Sequence, residues 1–222
     1  MRRRLPFWLA ASAITLGVAW LYLAAVEHPF FAKLEGQSLT WRFQLRGPIE
    51  PGPESLIVTI DEKSLAALGR WPLPRRLLAE GVLKLHDLGA KVIVLDLLLT
   101  GEETDPAAAG GLAESAAEID SLILPYAFDY STSARVKPAA APATLPESIR
   151  HTAFPLVRSG DGSLDGPDPS GALLPEAVLL AASRPAQANV FLAADGQLRY
   201  GFPALRYGGA YYPSLSVEAV RL

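Results

Sequence analysis

The apolar and polar positions divide the chain at residue 26. Leu5 to Val26 is one apolar run without a charged residue. As a helix it would extend about 33 Å, enough for a hydrocarbon core of roughly 30 Å. Arg2, Arg3 and Arg4 precede it, and basic residues stay on the cytoplasmic side. The pattern therefore predicts a transmembrane helix over 5–26, a cytoplasmic basic tip over 1–4, and the rest of the chain outside the cytoplasm. A cleaved signal peptide would have an apolar core of about 7–15 residues and a small-residue cleavage site, and Tyr22-Leu23-Ala24-Ala25-Val26 is a poor one. Phe31, Leu34, Leu39 and Phe43 then predict a juxtamembrane helix across 30–45. Gly47-Pro48 and Pro51-Gly52-Pro53 follow as a rigid spacer. Together these form a segment over 27–53.

From residue 54 the pattern becomes that of an α/β domain, predicted over 54–222. Leu56-Ile57-Val58-Thr59-Ile60 is nearly continuous in β-branched residues, as a strand buried on both faces would be. Asp61 is placed to cap a short helix that Gly69 stops. Pro74 opens a second helix, with Leu78, Val82, Leu85 and Leu88 on one face. Gly89 ends it, and Lys91 to Leu99 predicts a second buried strand. Strand, helix and strand imply a right-handed crossover.

Leu112 to Glu118 predicts a helix and Ser121 to Phe128 a strand, which Pro125 pushes toward an edge or a bulge. Residues 131–146 and 159–171 read as surface loops. Leu173 to Ser183 predicts a helix. Ala188 to Leu192 and Gln197 to Leu205 flank Asp195-Gly196 as a β-hairpin. Gly208-Gly209 makes a further turn, and Pro213 opens a helix over 214–222. The expected fold is a three-layer α/β domain with a mainly parallel central sheet and an added hairpin, behind one N-terminal transmembrane helix.

Composition narrows the function. Half of the 222 residues are hydrophobic, 19% are charged and the net charge is −3, so the chain can bury a core and offers nucleic acid no basic face. Cysteine is absent, which excludes disulfides, thiolate metal sites and a Cys nucleophile. The chain has no Walker loop, no dinucleotide fingerprint and no nucleophile elbow. Its three histidines, His28, His86 and His151, lack metal-ligand spacing.

Two groups could carry binding chemistry. Asp61, Glu62 and Asp96 would gather at the carboxyl edge of a parallel sheet, where open α/β sheets place ligands, and could hold a divalent cation or a cationic ligand through oxygen. The simpler reading makes Asp61 a helix cap, and Asp96 either a loop cap or a partner of Arg75 or Arg76. In Trp71-Pro72-Leu73-Pro74-Arg75, two prolines would present an aromatic face beside a guanidinium. Alternatively Trp71 plugs the base of the helix.

The ordered motifs resemble those of the CHASE type-two family, the second class of cyclase/histidine-kinase-associated sensory extracellular domains. They are Arg42 and Arg46-Gly47, Ile60-Asp61-Glu62, Ser64-Leu65, Leu68-Gly69, Trp71-Pro72-Leu73-Pro74-Arg75 and Gly89-Ala90-Lys91. Asp96, Asn189, Asp195-Gly196 with Arg199, and Pro213-Ser214-Leu215 complete the set. Each motif is weak alone; the ordered set, from about residue 40 to the end, is specific. Thr40 stands where the family has Asp, Leu73 where it has a second Trp, and Leu99 where an aromatic usually follows.

The resemblance implies a sensory input domain of a bacterial receptor with a cyclase, histidine kinase or Ser/Thr kinase output. The apolar segment and basic tip imply a single-pass inner-membrane location with a periplasmic or extracellular bulk, composition and motifs imply no nucleic acid and no cofactor, and the resemblance implies a homodimer and a small-molecule or protein ligand whose identity is unknown. Family members continue through another strand, membrane helices and an output domain that this sequence does not show, so an incomplete sensor lacking its output is expected. The rival expectations are an anchored metal-dependent hydrolase using the acidic cluster, and an envelope interaction module using the two long loops.

Overall fold

The computed structural model describes residues 4–25, 29–101, 106–130, 145–155, 169–193 and 195–222. The chain forms two compact units. One comprises Met1–Val58 and Phe191–Gly201, the other Thr59–Val190 and Phe202–Leu222.

In the smaller unit, helix α1 spans Arg4–Ala25 and α2 spans Pro29–Arg46. The expected transmembrane helix is not supported: among the described residues, no helix is long and apolar enough to cross a membrane. The basic tip at 1–3 lies outside the described residues. Helix α2 matches its predicted extent and ends at Gly47, whose φ of +73° suits a residue without a Cβ.

The expected first strand is also corrected. Residues 56–60 form no strand, and Leu56 and Ile57 are 85% and 87% exposed. β-branched residues favour extended backbone, but a strand also needs a neighbouring edge to satisfy its N–H and C=O groups. No such ladder reaches this run among the described residues. The predicted crossover from 56–60 to 91–99 therefore does not form.

The larger unit holds a four-stranded sheet. Strand β1 (Ile93–Val94) runs parallel to β2 (Leu122–Asp129), as does β4 (Arg184–Gln187), whereas β3 (Gly171–Leu173) pairs antiparallel with β2. The sheet is thus mainly parallel, as expected, with β2 as its hub. Of the long second strand predicted over 91–99, only β1 is paired.

Pro125 sits inside the hub strand instead of at an edge, fully buried. The alternation of backbone groups explains why. Ile123 accepts from Leu95 and Asp129 from Ser170, while Tyr126 accepts from Ala188 on the β4 side. Pro125 therefore faces the side of β1 and β3. It falls after β1 ends opposite Ile123 and before β3 begins opposite Ala127, where a missing N–H costs no ladder bond.

Helices α3 (Glu62–Leu68), α4 (Arg75–Asp87), α5 (Pro106–Ile119), α6 (Glu147–Arg150), α7 (Ala177–Ala182) and α8 (Leu215–Arg221) complete the unit with the hairpin β5 (Ala204–Tyr207) and β6 (Ala210–Pro213). Helices α4, α5 and α7 bury Leu78, Val82, Leu112, Ala116 and Leu179 against Ile93, Leu122 and Leu124 of the sheet. Leu88, placed by its spacing on the buried face of α4, lies past the helix end and is 72% exposed. The hairpin is displaced from its expected place. Its turn is Gly208-Gly209, both at positive φ, as a type I′ turn requires. Asp195-Gly196 still reverses the chain, with the Ala193 N–H donating to the Gln197 carbonyl at 2.9 Å, but no strands flank it among the described residues. The predicted loops at 131–146 and 159–171 lie largely outside the described residues.

Candidate functional site

Asp61 caps α3: its carboxylate accepts from both the backbone N–H and the hydroxyl of Ser64, each at 2.8 Å. These bonds hold its pKa below the usual carboxylate value. Glu62 opens the same helix, in the favourable first-turn position for an acid. Asp96 lies exposed beyond β1. The acidic cluster does not assemble: among the described residues, no group of three or more His, Cys, Asp or Glu side chains could hold a metal ion. The cause is the missing first strand, without which Asp61 and Asp96 are not at adjacent strand ends.

The Trp-Pro-Leu-Pro-Arg segment also separates its two candidates. Trp71 is 54% exposed, so it plugs nothing. Leu73, at the family's second Trp position, instead joins the core with Leu78 and Val82. Arg75 is buried. It pairs with Glu176 at 2.5 Å and donates to the Gly101 carbonyl, tying the start of α4 to the segments after β1 and before α7. Arg76 pairs with Glu80 one turn on. Neither arginine pairs with Asp96 as the sequence suggested.

Asn189 has a structural role that spacing alone did not reveal. Its side-chain amide donates to the Phe128 carbonyl and its carbonyl accepts from the Phe128 N–H, both at 2.8 Å. A side chain thereby continues the ladder of β2 where β4 has ended. Nearby, burial raises the pKa of Tyr126, with the charges of Tyr212 and Glu218 adding to the effect. Glu218 is itself buried and pairs with Arg221 at 2.8 Å.

A further constellation lies in the smaller unit. Arg199 forms an ion pair with Asp195 and donates from Nη1 to the Thr40 hydroxyl at 2.8 Å. Hydrogen bonding to Asp195 raises the Arg199 pKa, and the reciprocal bond lowers that of Asp195. Thr40 and Arg199 come from distant motifs of the family pattern, and here they touch. The departure at Thr40 now has a physical meaning: a neutral hydroxyl replaces a carboxylate beside Arg199, leaving Asp195 as the acid paired with it. An open groove of about 550 Å³ adjoins this contact, lined by Thr40, Phe43, Gln44 and Arg46 of α2 with Gly47, Pro48, Gln197 and Arg199.

The larger unit is a mixed α/β domain whose buried ionic and amide groups tie its elements together, and the chain's acids form no metal centre among the described residues. The CHASE2 domain family model matches residues 13–222. The chain belongs to this family, whose members are extracellular sensory domains of signalling receptors. No curated protein and no solved structure matches it.

Proposed function

We propose that this chain is the sensory input domain of a bacterial signal-transduction receptor of the cyclase, histidine kinase or Ser/Thr kinase type, working outside the cytoplasm as a homodimer. The observation that carries this reading is the family match over 13–222. A domain of this kind transmits by differential affinity: a ligand or partner shifts the population between two arrangements only as far as it binds one of them better. The polar tethers in both units support that role, since each joins separate segments through a few groups.

Fusing a reporter that is active only outside the cytoplasm after Leu222 tests the placement. An active fusion is expected, and an inactive one overturns it. A divalent-dependent hydrolase activity that disappears on Asp96→Asn would overturn the sensory role itself. Sedimentation of the purified chain as a monomer at all concentrations would overturn the homodimer.

A further inference from the structure

The groove beside Arg199 has a definite chemistry. Its lining includes two guanidiniums, Arg46 and Arg199, and no carboxylate. Arg199 is held by Asp195 and Thr40. Arg46 has no ion pair among the described residues; its guanidinium lies 4.5 Å from the centroid of the Phe43 ring. Stacking of this kind fixes the plane of the fork while leaving its edge N–H groups to donate. Gln44 and Gln197 add primary amides, each able to donate and accept. Phe43 and Pro48 supply apolar wall.

We propose that this groove binds a small organic carboxylate, with its charge on Arg46, its remaining lone pairs on the Gln44 and Gln197 amides, and its apolar body against Phe43 and Pro48. A cation is disfavoured by two positive groups with a single acid paired to one of them. Inorganic phosphate matches the charge but leaves the apolar wall unused, whereas a carboxylate with an apolar body uses both. Favourable placement of a cation at a helix C-terminus accounts for an arginine at position 46, but not for the two amides beside it. The proposal deepens the sensory reading and rests on it for its purpose, although the binding itself can be measured independently.

The test is calorimetric titration of the full chain at low ionic strength with benzoate, benzamide and inorganic phosphate as separate probes. Benzoate is expected to bind saturably with one site per chain, and the other two at least about tenfold more weakly, the difference a charge-assisted contact typically makes. Arg46→Gln should weaken benzoate by about tenfold or more with the melting temperature unchanged, since Arg46 is exposed. Gln197→Ala should weaken it by a smaller factor. No benzoate binding up to about 10 mM, equal binding of benzamide, phosphate binding as tight as benzoate, or an unaffected Arg46→Gln variant would each overturn the proposal. Those outcomes leave the reporter-fusion test of the sensory reading untouched.

Discussion

Each unit is held together internally by a different means. In the larger one, Leu112, Ala116, Leu124 and Leu179 are fully buried between helices and sheet. In the smaller one, apolar side chains such as Leu34, Trp41 and Phe43 are exposed, and a polar contact joins Thr40 with Arg199 and Asp195. Apolar burial is non-directional and grows with area, so the larger unit should carry the stability. Charge-assisted bonds are directional and weak at a solvated surface, so the smaller unit should report on chemistry without controlling unfolding.

The strongest challenge to that contrast is a core truncation. Leu112→Ala should lower stability by about 3 kcal/mol in urea unfolding, through lost transfer energy plus a cavity. Leu34→Ala, at a position 54% exposed in α2, should change it by less than about 0.5 kcal/mol. Equal losses at the two positions would abolish the distinction between the units.

A buried tether sharpens the comparison next. Arg75→Ala removes the buried guanidinium paired with Glu176, whose side chain is only 17% exposed, and should cost roughly 3 kcal/mol. The double variant Arg75→Met with Glu176→Leu should recover much of that loss in the same unfolding measurement, because the cost lies in the uncompensated charge.

The larger unit also contains a buried phenol, with a consequence at high pH. Tyr126 has its pKa raised above the usual value of 10.0, chiefly by burial. The unfolded chain therefore releases this proton before the folded chain does. The associated stability is fully present below about pH 10 and declines above it, by about 1.4 kcal/mol per pH unit. Tyr126→Phe should flatten that alkaline decline in denaturation midpoints measured from pH 9 to 11. Burial raises the Tyr212 pKa too, so a residual slope should remain. An unchanged slope in Tyr126→Phe would mean that the phenol titrates normally.

What could be read from the sequence follows the range of the interaction. The Asp61 cap and the Gly69 stop depend on neighbours three or four residues away, and both were legible, whereas Ser214, read as part of the last helix, is its cap. Residues 56–60 failed because β-branched side chains report a preference for extended backbone and say nothing about an available edge. Pro125 was read as the sign of an edge or a bulge. Which neighbour its missing N–H would have met depends on where β1 stops and β3 starts, and both are set by tertiary pairing.

The hairpin was placed at Asp195-Gly196 because that dipeptide is the stronger local signal. The strands themselves lie around Gly208-Gly209, where Leu205 and Tyr212 are buried. Of the named site residues, the helix-capping alternative for Asp61 was legible. The burial of Arg75 was not, because its partner Glu176 lies far along the chain. The Thr40–Arg199 contact spans 159 positions; spacing could not reveal it, although both ends belong to the ordered family motifs.

The mildest test concerns the two exposed carboxylates with lowered pKa values, one in each unit. Asp61 and Asp195 are both held below the usual 3.8, Asp61 by Ser64 and Asp195 by Arg199. A depressed folded pKa contributes stability that is present above the unfolded value and lost as pH falls through the folded one. Both contributions should therefore fade below about pH 4. Asp61→Ala should lower the unfolding midpoint at pH 7 slightly, and by less as pH falls through the lowered pKa of the folded carboxylate. Asp61→Asn should retain most of the midpoint, since an amide oxygen can also accept from Ser64. Asp195→Ala should leave the global midpoint alone at every pH and instead speed amide exchange near Thr40, where Arg199 would have lost its acid. If Asp195→Ala lowered the global midpoint as much as Asp61→Ala does, the smaller unit would share in the cooperative unfolding of the larger one.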